Sequence, residues 1–337
     1  MTRPVRRLLA RAGRRTNLAL LIVLAGAFLT GWLAFAAGTT VPSRLATIGH
    51  GLLGVGVVLL VPWKTVIVRR AQLLRLASLG LLAVIVVCLV AGFVEVFVGY
   101  RVLAGLSPIQ VHVGAAFVAV PLLAVHLVRH RRQGPRRTDL GRRQVLRTVG
   151  FAVGAGVAYA GLEVVGHLAG LPSARRIASG SHRIAAEAMP ATIWLLDRVP
   201  EVAAGHRVRV AGVEIPVAEL AARTVGVRAR LDCTSGWYAE AEWSGVSLGS
   251  LIPADRRLGA NSILVTSVTG YRRRFPVEEA DELWLATAVE GRPLRVGTGA
   301  PVRLVVPHRR GFWWVKWVAA VELSEVPAYA QSPFPLQ

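Results

Sequence analysis

Five apolar segments fill most of the first half of the chain, and they settle its class before any motif is read. They run over about residues 18–37, 45–68, 79–100, 109–128 and 148–171, each offering the roughly 20 residues that a membrane-crossing helix needs. Basic residues gather at alternate ends. Six Arg precede the first segment, Lys64, Arg69, Arg70 and Arg75 stand between the second and third, and eight Arg stand between the fourth and fifth. The other two connections hold only Arg44 and Arg101. Cationic flanks stay cytoplasmic during insertion, so eighteen against two predicts a cytoplasmic amino terminus in a multi-pass protein of the cytoplasmic membrane. Five crossings then predict that everything after Leu171 lies outside. No short cleavable leader is read ahead of the first segment.

The charge distribution also removes a nucleic-acid partner. The formal charge is +21, yet the residues up to Leu171 carry 20 Lys and Arg against three acids, and those from Pro172 onward carry 20 against 16. The excess flanks apolar segments and builds no phosphate-binding face. Membrane lipid and a small-molecule substrate are the expected partners. Cys88 and Cys233 are the only cysteines and give no disulfide framework. Cys88, in an apolar run, reads as filler without polar company.

Polar groups inside spans are costly and usually functional. His50 lies about five residues from the outer end of the second segment and His112 about three from that of the fourth. Imidazoles at matching depth on two helices suit a b haem bound by both, and hydrogen bonding between the helices is the plain alternative. His126 follows His112 by fourteen residues, about 21 Å along a helix and near the same face. The pattern His50-Gly51-x-x-Gly54 with His112-x-Gly114 and His126 resembles four-helix cytochrome b membrane subunits. That resemblance implies one haem on His50 and His112, exchanging electrons with quinone or another carrier. His126 would serve a possible second haem, but Lys64 stands where its partner is expected. Glu95, near the outer side, would relay protons or satisfy a ligand's second nitrogen. Glu163, one turn before His167, predicts a pair within the fifth helix. Ahead of that helix, Gly141-Arg142-Arg143-Gln144-Val145-Leu146-Arg147 resembles a twin-arginine export signal, and ordinary cationic flanking accounts for the pair equally well.

Beyond Leu171 the pattern changes to short strands and helices. A hairpin is predicted over 208–216 and a short helix over 216–222. Strands are predicted over 225–232, 262–267, 283–289, 302–306 and 318–323. The class is α+β, after an all-α membrane domain of five helices. Cys233 follows the strand 225–232 at the start of a loop containing Gly236, where a thiol is presented to a cavity, although a lone Cys is often a small buried hydrophobe.

The blocks Leu231-Asp232-Cys233-Thr234-Ser235-Gly236-Trp237, Trp243-Ser244-Gly245-Val246 and Gly270-Tyr271-x4-Pro276 closely resemble the sulfite-oxidase-type molybdopterin-binding domain. Val289-Glu290-Gly291-Arg292-Pro293-Leu294, the run from Gly299 to Pro307, and Gly311-x4-Lys316-Trp317 continue the likeness. The resemblance implies a molybdenum-molybdopterin cofactor with Cys233 as the protein thiolate on the metal, and thiolate is a suitable soft ligand. It implies phosphate contacts from Arg303 and Lys316, backbone contacts from Trp314 and Val315, and further pterin contacts from Ser267, Thr298 and His182. Arg309, Arg310 and Trp237 are candidate pocket walls. The expected organisation is a basic tail over 1–16, a membrane domain over 17–171, a linker over 172–184 and the molybdopterin domain over 185–330.

The later Tyr, the surrounding Arg residues and the dimerisation domain of sulfite oxidases find no match here. The shorter format is closer to bacterial methionine-sulfoxide reductase catalytic subunits. The expectation is a membrane-anchored oxidoreductase, S-oxide reductase-like, that moves an oxygen atom to or from a small substrate. A sulfite dehydrogenase and a metal-free membrane receptor or scaffold are the alternatives.

Overall fold

A computed structural model describes residues 13–37, 41–71, 76–129, 142–192 and 198–332. Most of the basic tail, Arg75, His130 and Gly141 lie outside the described residues. The chain forms two compact units, one made of the helical segment through His182 and the other of the residues from Arg183 onward.

The first unit has helices α1 (Arg14–Ala37), α2 (Val41–Ala71), α3 (Leu76–Val98), α4 (Pro108–Arg129) and α5 (Arg142–Leu168). All five are long and apolar enough to cross a membrane. They are apolar around most of their circumference, as expected for helices whose backbone groups must be satisfied internally in lipid. α3 packs along α4, and α5 lies on α2, with Phe151 of α5 meeting the backbone at Gly56 of α2. Two expectations are corrected here. Cys88 has polar company, because its carbonyl oxygen accepts from His112 Nδ1 at 2.7 Å. Glu163 does not pair with His167; its carboxylate accepts from Arg176, which follows the turn Pro172–Arg175.

The second unit carries two sheets. Its strands are β1 (His182–Arg183), β2 (Arg207–Val210), β3 (Val213–Pro216), β4 (Val225–Asp232), β5 (Trp237–Ser247), β6 (Ser262–Ser267), β7 (Arg272–Pro276), β8 (Trp284–Val289), β9 (Arg292–Pro293), β10 (Arg303–Val305) and β11 (Val318–Ser324). One sheet runs β1-β5-β8-β10, with β4 also on β5 and β9 on β8. The other runs β3-β2-β11-β6-β7, antiparallel except between β2 and β11. The short helix α6 (Val217–Ala222) follows β3 and buries Leu220.

The predicted strands at 225–232 and 262–267 match β4 and β6, and those near 284–289, 303–305 and 318–324 match β8, β10 and β11 within two residues. β5, the longest strand at 11 residues, has no counterpart in the sequence reading. Glu240, Glu242 and Gly245 interrupt its apolar pattern, while neighbours on both sides bury seven of its residues along with part of their backbone. β5 positions the site, because β4 pairs with it from Val225↔Gly245 to Asp232↔Tyr238 and so ends at Cys233.

Candidate functional site

Cys233 opens the tight connection of the β4–β5 hairpin. Its N–H donates to the Trp237 carbonyl at 2.8 Å, and Gly236 N–H donates back to the Cys233 carbonyl at 3.3 Å. Gly236 takes φ +95°, which closes the turn without a side-chain clash. The thiol is 8% exposed, and its sulfur lies 3.2 Å from the Ser235 hydroxyl, which in turn lies 3.3 Å from the Thr192 hydroxyl.

Beneath the hairpin, the Asp232 carboxylate receives Arg310 Nη1 at 2.9 Å on each oxygen, both side chains being 4% exposed. Gly311 lies under the turn, where an added Cβ would come within 3.1 Å of the Asp232 carbonyl and 3.2 Å of Cys233 Cα. Arg310 is thus part of the hairpin's support, which corrects its reading as a pocket wall able to steer substrate. Arg309 is likewise held, donating to both oxygens of Glu279 at 2.5 and 2.7 Å. The ring of Trp237 is buried, and its Nε1–H has no hydrogen-bond partner among the described residues.

Arg303 is 1% exposed and lies against a pair of touching indoles, its guanidinium carbon 4.9 Å from the Trp243 ring centre and 5.4 Å from that of Trp314, which are themselves 5.4 Å apart. Nη1 donates to the Thr298 carbonyl at 2.9 Å, and Nε has no partner among the described residues. Lys316 Nζ donates to the carbonyls of Thr192 at 2.6 Å and Gly297 at 3.1 Å. Among the described residues, neither cation is paired with a carboxylate. Burial pushes Lys316 down to about 8, with repulsion from Arg303 adding to the shift, and pushes Arg303 down to about 10. The nearby Cys233 sulfur acts in the opposite sense on both. A buried Arg303 and a half-buried Lys316 beside a thiol, with no carboxylate partner among the described residues, could hold an anion. A phosphorylated ligand that brings its own negative charge fits this donor set.

The remaining expected contacts are placed as follows. Thr298 turns its hydroxyl into its own turn, donating to the Arg295 carbonyl at 2.9 Å, and offers Arg303 its carbonyl. Ser267 accepts from Thr269 N at 3.2 Å and closes the β6–β7 turn. The Val315 carbonyl accepts from Leu304 N at 2.7 Å, while Trp314 N donates to Gly311 at 3.1 Å. His182 donates through Nε2 to the Glu95 carbonyl at 2.7 Å, and burial lowers its pKa. Asp232, Ser235 and Thr192 escaped the sequence reading. The available signal was an acid placed directly before the cysteine.

In the helical unit, His50 and His112 come together, with ring centres 5.6 Å apart and planes at 89°. An ion bound by both, with metal–nitrogen bonds of about 2 Å, sets the centres about 6 Å apart. His50 Nδ1 lies 2.8 Å from the Ala27 carbonyl and His112 Nδ1 2.7 Å from that of Cys88. A carbonyl only accepts, so each Nδ1 carries the hydrogen and each Nε2 keeps its lone pair, the tautomer a metal-binding imidazole needs. Gly31 and Gly92 make room for the rings, since a Cβ on either would come within 2.9 Å of the neighbouring imidazole. Lys64 and His126 each meet a polar side chain of the preceding helix, Asn17 and Ser78 respectively.

Comparison with known proteins agrees with the carboxy-terminal geometry. Residues 197–332 match the model of the oxidoreductase molybdopterin binding domain. The chain is similar to the protein-methionine-sulfoxide reductase catalytic subunit MsrP of Xanthomonas campestris pv. campestris, 31% identical over 117 residues, which are 28% of this chain and 35% of that protein. The same subunit of Xanthomonas axonopodis pv. citri is 30% identical over equal shares. This chain therefore spans about a third of the length of the curated relatives it matches. Among solved structures, the sulfane dehydrogenase SoxCD of Paracoccus pantotrophus aligns with a TM-score of 0.35 and 24% identity, covering 38% of this chain and 40% of that one. The hairpin cysteine and the two cations thus lie within residues 197–332, the stretch that matches the oxidoreductase molybdopterin binding domain and overlaps the likeness to methionine-sulfoxide reductase catalytic subunits.

Proposed function

We propose that the chain is a membrane-anchored, molybdopterin-dependent oxidoreductase that transfers an oxygen atom to or from a small substrate, with S-oxide reduction as the favoured direction. The observation that carries this reading is the pair of cations, buried Arg303 and half-buried Lys316, with no carboxylate partner among the described residues and sited beside the Cys233 thiol. The similarity to methionine-sulfoxide reductase subunits supports the S-oxide direction. When bound, molybdenum supplies two-electron oxygen-atom chemistry. Cys233 would offer the metal its thiolate, and the Ser235 hydroxyl, backed by Thr192, would direct a hydrogen bond at that sulfur. Arg303 and Lys316 would hold the pterin phosphate through the donors now turned to backbone carbonyls, and the two indoles keep water from the guanidinium. The Asp232–Arg310 pair fixes the hairpin from below.

His50 and His112 would hold a b haem through their Nε2 atoms, giving the chain a one-electron carrier beside its two-electron site. Quinone or another carrier is the proposed electron partner. The excess of basic residues between alternate helices supports a cytoplasmic amino terminus and a catalytic domain outside the cytoplasmic membrane.

Elemental analysis of chain purified from a molybdenum-replete host tests the core of this reading. About one molybdenum per chain is expected, with a Mo–S scattering shell that Cys233→Ser diminishes by one sulfur, the pterin's own sulfurs remaining. Metal-free protein from such a host would point instead to a receptor or scaffold. In membranes, methionine sulfoxide should reoxidise a reduced b-type haem and bleach its band, whereas growth of that band when sulfite is added to oxidised membranes would favour the opposite direction.

A further inference from the structure

The two helical hairpins α1–α2 and α3–α4 are copies of one design. The carbonyls of Ala27 and Cys88, which receive the imidazoles, stand 61 residues apart, as do Gly31 and Gly92. His50 and His112 stand 62 apart. Each glycine lies four residues after its carbonyl, so each ring rests across one turn of the preceding helix.

A second level repeats the arrangement at one shared offset. Fourteen residues before Gly31 and Gly92 stand Asn17 and Ser78, and fourteen after His50 and His112 stand Lys64 and His126. Fourteen residues correspond to about 21 Å of helix with the same face returning to within about 40°. The contacts repeat as well. Lys64 Nζ donates to Asn17 Oδ1 at 3.0 Å, and His126 Nδ1 lies 3.4 Å from the Ser78 hydroxyl. Lys64 is half-buried and directs its nitrogen at the neighbouring helix, whereas a lysine serving only as a cationic flank extends its head toward water.

We propose that Lys64 and His126 are the ligand pair of a second b-type haem, a lysine–histidine set one level along the bundle from His50 and His112. The proposal rests on the haem reading of that first pair. A neutral amine has one lone pair and two N–H groups. Asn17 Oδ1 accepts one of these and aims the nitrogen, as the Ala27 carbonyl aims His50, and the Ser78 hydroxyl, which can accept from Nδ1 or donate to it, lies against the His126 ring. Lysine thus fills the position where imidazole is expected with another nitrogen donor, and the Asn17 side chain provides its orienting partner.

The test is haem stoichiometry by the pyridine haemochrome assay on the full chain in detergent, joined to near-infrared magnetic circular dichroism, whose charge-transfer bands separate bis-imidazole from amine–imidazole ligation. About two haems per chain are expected, one of each kind. Lys64→Ala and His126→Ala should each halve the content and remove the amine–imidazole band alone. Lys64→His should keep both haems and convert that band to the bis-imidazole position, which guards against loss by misfolding. A single haem that His50→Ala removes and Lys64→Ala leaves intact would overturn the second level while the first stands. Two haems whose bands ignore Lys64→Ala would overturn lysine as the ligand. A haem-free chain would sink both.

Discussion

Asp232 and Arg310 show how a side chain with no direct part in chemistry can govern a site. Their ion pair is buried on both sides, in a setting where two hydrogen bonds offset much of the cost of taking both charges out of water. Removing one partner leaves the other charge uncompensated. Asp232→Ala should therefore destabilise the carboxy-terminal domain by about 3–5 kcal/mol and lower its molybdenum content, as read by denaturant melts and metal analysis. The double variant Asp232→Ala/Arg310→Met should recover much of the lost stability, because no isolated charge remains. If the double variant is no more stable than the single one, the pair does not act as described.

At the scale of elements, helix packing sets the geometry of the imidazoles. His50 and His112 belong to α2 and α4, but their orientation is set by carbonyls of α1 and α3 and by the missing side chains at Gly31 and Gly92. A methyl group at position 92 would meet His112 Nδ1 at 2.9 Å, closer than ordinary contact, so ring or helix must move. Gly92→Ala should abolish most of the α-band of the first haem while leaving molybdenum content unchanged, and reduced-minus-oxidised spectra of membranes check this. The same dependence on neighbours explains β5. Its alternation is broken by Glu240 and Glu242, which meet Arg230 and the Glu290 side of the sheet, so local pattern does not disclose a strand flanked on both edges. β4 and β6, with cleaner apolar runs, were legible.

On the scale of the whole molecule, the sheet-bearing unit carries a charge arrangement that folding alone does not favour. Burial holds Lys316 near 8, below the ordinary lysine value of 10.5. Between those values the unfolded chain binds more protons than the folded one, so stability rises with pH across that window. Below about pH 8 both states are protonated and the full cost of burying the ammonium is present. Denaturant melts of cofactor-free protein should show this rise, and Lys316→Met should flatten it. Cofactor-loaded protein should show a weaker rise, since a bound phosphate favours the charged ammonium. An identical slope in Lys316→Met would mean that another group is responsible.

By itself the sequence determined the five apolar helices, the cysteine at the end of the strand 225–232 and the blocks that resemble the molybdopterin-binding domain. These are written in contiguous residues, where hydropathy, turn chemistry and spacing act over one element at a time. Tertiary structure alone decided what each cation does. Arg303, Arg309 and Arg310 fall within eight positions and look alike as a basic, Trp-rich run. One lies against a pair of indoles, one is held by Glu279 thirty residues away, and one by Asp232 seventy-eight residues away. A charge is assigned by whatever the fold brings within a few ångströms, and that information lies in the partners' positions rather than in the run itself.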